Sequence, residues 1–599
     1  MRAKNMKNAT VKTQLFLALV VVATLFVTPA AFAATPGISS TNGTAGTFNL
    51  TAQDAFLNQP DGEAVYSWGY GCVSGASPTF LPAAISGASC NTMQVPGPTL
   101  IVTEGQTVTI NLTNGLPTAA GNTSILFAGF SVSTSCTGTT PAGQQGLLTC
   151  EAAPGSTVSY TFTASAPGTH PYYSGTQGDL QIEMGLYGAV VVLPNKVPTN
   201  CDAGYHTLNQ TAQSTWGESD FRLAHAAYDH PGSCYDREYL FQWAEMDSRI
   251  HRQAQAQVAA RMGCTAGAAG CSLDVQTEPY HPAYFLINGR SMPDLMDPNY
   301  ASEYPHQPYN GNPHMHPGEL TLIRTIGQGR WEHPFHEHAN HVRILGRDAN
   351  LVLSPTAGSC STSSTTPPAG CVTFTSGLTS GPGADSPVTA PGLAGLLMFN
   401  TDTTPGEAFD GIFYYTGRGL NWDAFGHHPS TTGIPGDPNG DPYKDPLATL
   451  ACTPDVNGYN SIDPTAVNFM EWCQDHFKPV QVSPFGDVPG GGPATFPDPN
   501  VFTNGAWYSG TPYFGPDANL RAGSPACAGN PYGTPNPPNA NCTNLQPSNV
   551  QANPPTERGW AFMWHSHNER EITTNNVFPG GMLMMMLVDS REFKIDETL

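Results

Sequence analysis

The chain has 599 residues, only 12% of them charged, with 46 acidic against 23 basic side chains and a formal net charge of −23. So acidic a surface excludes nucleic acid as a partner, because phosphates reward clustered Lys and Arg, and it suits the attraction of cations. The 63 Gly and 55 Pro favour many short strands and turn-rich loops over helices.

Arg2, Lys4, Lys7 and Lys12 precede an apolar run from Leu15 to Val27, and Ala31-Phe32-Ala33 supplies a small-x-small cleavage pattern. Residues 1–33 therefore read as a signal peptide, with the mature start near Ala34. Its removal takes away four basic and no acidic residues, moving the charge from −23 to −27. No second long apolar run follows, so no membrane span is expected after signal removal. The protein is expected to be secreted, periplasmic or extracellular. All 14 cysteines lie beyond the leader, and an even count in an exported chain reads as a disulfide framework. Sequential pairing would join Cys72 to Cys90, Cys136 to Cys150, Cys201 to Cys234 and Cys264 to Cys271. The later pairs would be Cys360 with Cys371, Cys452 with Cys473 and Cys527 with Cys542. Connectivity is not fixed by sequence, but if all seven form, no thiolate is left for a metal.

In chain order, residues 95–113, VPGPTLIVTEGQTVTINLT, alternate apolar and polar around a Gly-containing turn and predict a hairpin with one buried face. STVSYTFTA and GLYGAVVVLP have the same character, so residues 45–195 read as one antiparallel barrel or sandwich. A connector follows over 196–270, and AEMDSRIHRQAQAQVAARM at 244–262 is the one clear helical stretch, rich in Ala, Gln and Arg. Strand patterns return at 284–290, 318–327, 341–347 and 409–417, and close with WAFMWHSH and GGMLMMMLV. They make a second β domain over 271–589, with insertions at about 351–395 and 418–555. The longer insertion reads as an ordered, cross-linked cover, since a structureless loop of that length is uncommon in a compact domain.

Histidines concentrate in two places. WEHPFHEHANH carries His333, His336, His338 and His341, and WHSHNERE carries His565 and His567. Residues two apart on a strand share a face, about 6 to 7 Å apart, so each H-x-H presents two imidazoles on one side. Two such strands face to face would cage a transition metal, and neutral imidazole suits copper or zinc. A lone histidine is usually just a satisfied side chain; two H-x-H pairs in one domain shift the balance toward ligands.

These motifs resemble the C-terminal copper-binding motifs of multicopper oxidases, H-P-x-H-L-H-G and H-C-H-x-x-x-H-x-x-x-G-M. The resemblance extends to the first domain through VPGPTLIVTEGQTVTINLTN and GLYGAVVV. It implies an all-β fold of two cupredoxin-like Greek-key barrels, with long disulfide-bonded loop insertions in the second. Carried over by position, it implies His333 at a type 1 copper, His336 at a type 2 copper, His338, His565 and His567 at type 3 coppers, and Met582 as axial ligand. Departures accompany the matches. Ser566 stands where the family has its copper-binding Cys, Glu571 falls where the next His is expected, and six extra residues separate H-S-H from Met582. In the first domain Leu126, Ala128, Tyr173 and Gly175 occupy four histidine positions, with His170 misplaced to substitute. A thiolate conduit and a complete three-copper cluster are therefore not expected, and laccase-type turnover and nitrite reduction are disfavoured.

What remains is a site of His336, His338, His565 and His567, with Glu569 or Glu571 near and His341 as an outer donor. Copper is the expected metal, with zinc or iron as alternatives. Two functions stay open: a copper-binding oxidoreductase with a reduced site, or a non-catalytic structural or interaction module. A homo-oligomer, a trimer in related two-barrel proteins, could complete the site across an interface. Elsewhere, the Pro-rich segment with His306, His314, Met315 and His316 reads as a surface loop, and His427 and His428 have no visible partners. The run from Met582 to Met586 alternates as a core strand would, with Met582 its one candidate ligand.

Overall fold

The computed structural model describes residues 35–136, 149–374, 387–415, 559–589 and 595–597, apart from 86, 216, 317 and 362–365, together with 451–454, 460–463, 469 and 511–513. The expected signal peptide, most of the longer insertion and His427 and His428 lie outside the described residues. The chain is nearly all β.

The first barrel is a pair of facing sheets. One has six strands, ordered Thr79–Leu81, Gly37–Ser40, Leu100–Thr103, Tyr187–Leu193, Gly168–Tyr173 and Leu126–Phe127; the other has five, ordered Ala64–Cys72, Thr47–Asn58, Thr107–Asn114, Thr157–Thr163 and Ser133–Thr134. Neighbours in space are seldom neighbours in sequence, as Greek-key connections require. The alternation in TVTINLTN sends Val108, Ile110 and Leu112 inward against Phe48, Leu50, Trp68 and Tyr160, while Thr109 and Asn111 between them take the other face. The expected hairpin at 95–113 is corrected by this pairing. Leu100–Thr103 lies beside Tyr187–Leu193, and Thr107–Asn114 lies between strands of the other sheet. Gly105, at φ +83°, turns the chain from one sheet to the other, a conformation that favours glycine.

The second barrel repeats the plan. One sheet runs through Tyr284–Ile287, Arg237–Met246, Leu320–Gly327, Ala408–Tyr414, Val342–Arg347 and Asn350–Leu351; the other through His314–Met315, Leu583–Asp589, Gly559–Ser566, Pro334–Glu337 and Asn400–Asp402. Its core packs Phe241, Trp243, Phe335, Phe413, Trp564 and the alternate methionines Met582, Met584 and Met586. Strand Arg237–Met246 is buried along its whole length. Tyr239, Phe241 and Trp243 face that core, whereas Leu240, Ala244 and Met246 face a seam shared with first-barrel residues Ala189, Val95 and Tyr187. The expected helix at 244–262 starts later, at Ser248–Ala260, because Ala244 to Met246 finish this strand and Asp247 caps the helix by accepting the Arg249 N–H. A second helix, Gly204–Thr215, has too many Thr, Asn and Gln to stand out in sequence.

The seam is polar as well as apolar. Asp410, buried, accepts hydrogen bonds from the Thr169 hydroxyl (2.6 Å) and backbone, the Tyr228 hydroxyl (2.6 Å) and Arg324. Five disulfides join Cys72–Cys90, Cys136–Cys150, Cys201–Cys234, Cys264–Cys271 and Cys360–Cys371, each between cysteines that are consecutive in the chain. The other two expected pairs involve residues outside those described. Within 351–395 a hairpin of Cys371–Phe374 and Val388–Pro391 forms, and Thr511–Tyr513 from the longer insertion adds an edge strand to Gly559–Ser566. Among the described residues no helix is long and apolar enough to cross a membrane.

Candidate metal centre

Pro334–Glu337 and Gly559–Ser566 are antiparallel neighbours whose register sets Phe335 opposite Ser566, His336 opposite His565 and Glu337 opposite Trp564. Side chains of directly opposed residues share a face. Phe335 and Trp564 go into the core, so His336 and His565 turn to the outer face of the sheet. His338 follows them there. His336, His338 and His565 each offer a ligand atom, all within 4.8 Å of one another, and the Nε2 atoms of His338 and His565 are 3.3 Å apart. The ring of His567 lies 4.9 Å from that of His336 and 5.7 Å from that of His565, centroid to centroid. His336 and His565 are buried and His567 is exposed, so the group opens to solvent at His567.

Backbone carbonyls set the tautomers of two members. His336 Nδ1 donates to the Phe399 carbonyl (2.6 Å) and His565 Nδ1 to the Ser566 carbonyl (2.7 Å), which makes Nε2 of each ring the nitrogen that can ligate. Burial first, and then the neighbouring imidazoles, push His336 down to about 4; burial also lowers His565. The donor set is thus two or more neutral imidazoles with fixed rings, which fits copper. His341 stacks edge-on against Phe399 (5.1 Å) at the margin. Glu569 is exposed.

His333 is not brought to this group. Its Nδ1 is 2.9 Å from Glu571 Oε2 and its Nε2 is 2.9 Å from Glu245 Oε2, so carboxylates hold both ring nitrogens. Burial would lower its pKa, but hydrogen bonds and charge from Glu245 and Glu571 win and raise it to about 9. Ser566, on the core side of the strand, donates to the same Glu571 Oε2 at 2.5 Å. Met582 is fully buried in the second core, and its backbone bonds Ser566 N and Glu571 O. The residues expected around a type 1 copper do gather, but about an imidazole clamped between two carboxylates. Glu245, the partner that sequence reasoning missed, sits on the buried strand, and its position between Ala244 and Met246 was its only signal. The network runs on. Glu245 Oε1 meets the Tyr280 hydroxyl (2.9 Å), which also meets Glu183 Oε2 (2.6 Å). One hydroxyl hydrogen serves one of those contacts, so the other needs an acid proton, and burial raises the pKa of Glu183.

In the first barrel His170 is buried against Phe130 (4.4 Å between ring centroids) with Nε2 on the Ala166 carbonyl, away from the histidine group. The surface-loop expectation for the segment around His314 is corrected. His314 and Met315 pair in parallel with Leu583–Asp589 and, with His316, are buried, because that strand needs an edge partner. His316 Nε2 lies 2.6 Å from Glu218 Oε1; burial of that carboxyl is outweighed by His316 and Arg237, which hold it at about 2. His306 bonds the Met93 carbonyl.

Residues 86–197 match the family model of the multicopper oxidases. Over that stretch the chain is similar to a multicopper oxidase domain. The matched segment is most of the first barrel, where Leu126, Ala128, Tyr173 and Gly175 lie. L-ascorbate oxidase of Brassica rapa subsp. pekinensis is 32% identical over 130 residues, 21% of this chain and 21% of that protein. Laccase-3 of Botryotinia fuckeliana is 30% identical over 140 residues, 23% of this chain and 29% of that protein. The similarity thus spans less than a third of the length of either relative. Among solved structures, the multicopper oxidase mgLAC is 13% identical with a TM-score of 0.37, over 91% of this chain and 85% of that one.

Proposed function

We propose that this chain is an exported copper-binding protein of the multicopper oxidase family, with one histidine-built centre in place of the family's full copper set. The observation that carries the reading is the convergence of His336, His338 and His565 within 4.8 Å, with His567 at the open side. A copper bound there would exchange single electrons with a small donor, which supports an oxidoreductase role. The protein's own part is to present neutral imidazoles, fix two of them by carbonyl bonds, and leave one side open. Ser566 offers a hydroxyl, a hard donor without the soft thiolate of a blue site.

Copper titration of the mature protein, followed by electron paramagnetic resonance and absorption, tests the reading. One copper per chain with a type 2-like signal and no intense blue band is expected, and His336→Ala should abolish uptake. Protein that takes up no copper refutes it. A non-catalytic interaction module is the second reading, favoured by the absence of histidine at 126, 128, 173 and 175. Copper-dependent oxidation of phenols or of cuprous or ferrous ions would dispose of it. The exposure of His567 leaves room for a donor from a second copy, and sedimentation with and without copper measures that.

A further inference from the structure

The ladder of strand Gly559–Ser566 ends one residue before His567. The regular alternation that aims His565 outward therefore does not reach its partner. His567 keeps one backbone bond, its N–H to the Pro334 carbonyl at 2.8 Å, and its side chain is exposed. The chain then closes into a turn. Glu571 N–H donates to the Asn568 carbonyl (2.8 Å), Asn568 N–H donates to Ser566 Oγ (3.1 Å), and Asn568 Nδ2 donates to Glu571 Oε1 (2.8 Å). Ser566 Oγ donates to Glu571 Oε2. His567 is thus spanned by a ring of bonds, two of which, from Ser566 Oγ and Asn568 Nδ2, end on one carboxylate. That carboxylate is itself immobilised, fully buried on His333, which Glu245 holds from the other side.

We propose that Glu571 is the positioning residue that turns His567 toward His336 and His565 as the fourth ligand of the centre, with His333 and Glu245 as its anchor. The inference rests on the copper-binding reading of the histidine group. Without the Glu571 charge, one of the two acceptor oxygens that Ser566 and Asn568 use becomes a donor, and the loosened 567–571 turn is free to rotate the imidazole into solvent. Copper would then be held by His336, His338 and His565 alone. Charge-assisted bonds to a buried carboxylate are about twice as strong as neutral ones, so replacing the charge alone, without changing shape, is the informative perturbation. Outer-sphere substitutions of this kind weaken metal binding by about ten- to a hundredfold.

The test compares full-length mature protein with Glu571→Gln, His567→Ala and the double variant, after circular dichroism confirms that each is folded. Copper affinity is measured by competition titration, and the number of bound imidazoles by pulsed electron paramagnetic resonance. Wild type should show one more imidazole than Glu571→Gln. The two single variants should bind about tenfold more weakly, and the double variant no more weakly than either. In the copper-free protein, His567 ring resonances should shift from one ordered orientation toward an averaged one in Glu571→Gln. An unchanged imidazole count and affinity in folded Glu571→Gln, or losses that add in the double variant, overturns the proposal. Wild type that takes up no copper sinks the underlying reading and the ligand role together, while the copper-free resonances still report whether Glu571 orients the ring. Should Glu571→Gln fail to fold, Ser566→Ala removes two bonds of the ring, the one Ser566 Oγ donates to Glu571 and the one it accepts from Asn568 N–H, and should give the same loss in smaller measure; no loss there overturns the proposal.

Discussion

Raising the pH should unclamp His333 and loosen the second barrel. Its imidazole is fully buried between Glu245 and Glu571 at 2.9 Å each, and those carboxylates raise it from 6.5 to about 9 despite the opposing effect of burial. Because the folded value lies above the unfolded one, the stabilisation is fully present below pH 6.5 and is lost as pH rises through about 9. Within that window the native state holds one proton more than the unfolded chain, so stability falls by about 1.4 kcal/mol per pH unit. The whole window is worth on the order of 3 kcal/mol, a large part of the roughly 5–15 kcal/mol typical of a domain. Urea unfolding at a series of pH values, read by tryptophan fluorescence with disulfides intact, measures the slope. Glu245→Gln leaves one carboxylate on the ring and should end the decline at lower pH. A urea midpoint that stays constant from neutral pH through 9 in the wild type would refute the argument, since it would mean that His333 carries no extra proton when folded.

Packing and charge give further expectations. Trp564→Ala should cost about 3–5 kcal/mol in chemical denaturation, and should weaken copper uptake in titration because its indole N–H holds the His338 carbonyl at 3.1 Å. Asp410→Ala leaves the buried Arg324 without one of its two carboxylates and should destabilise by about 3–5 kcal/mol, with faster proteolysis between the barrels. Asp410→Asn, which retains an acceptor for Thr169 and Tyr228, should lose less. If copper sits on the histidines, it should be retained on acidification until the pH nears the value of about 4 at which His336 protonates; release already at neutral pH, followed by dialysis and metal analysis, would contradict that.

The barrels were legible in sequence wherever alternation was clean, as in TVTINLTN and GLYGAVVV. Pairing was less so. Alternation says which face is buried but not which strand lies alongside, and the turn at Gly105 joins two sheets rather than two partners. The strand Arg237–Met246 was hidden because both its faces are covered, which erases the period of two that marks a half-exposed strand. The H-x-H spacing set His336 beside His338, and His565 beside His567, by local geometry alone; that His565 meets His338, 227 residues earlier, comes from the pairing of their strands. The fate of His333 was not legible, because it depends on Glu245, 88 residues earlier in the chain, and no local pattern connects them. His314 and His316 read as a loop because Pro and Asn surround them, yet an open strand edge captured them.

The five disulfides have a mechanical consequence. Each spans between 7 and 33 residues, and none of the five links one barrel to the other. If the two ends of the chain were drawn apart, the longest clasp, Cys201–Cys234, would withhold about 110 Å of chain from extension, yet it would bear no tension while the seam at Asp410 held. These five therefore shorten the tether between the barrels without riveting them, and at the seam the grip among the described residues is by hydrogen bonds and side-chain contact.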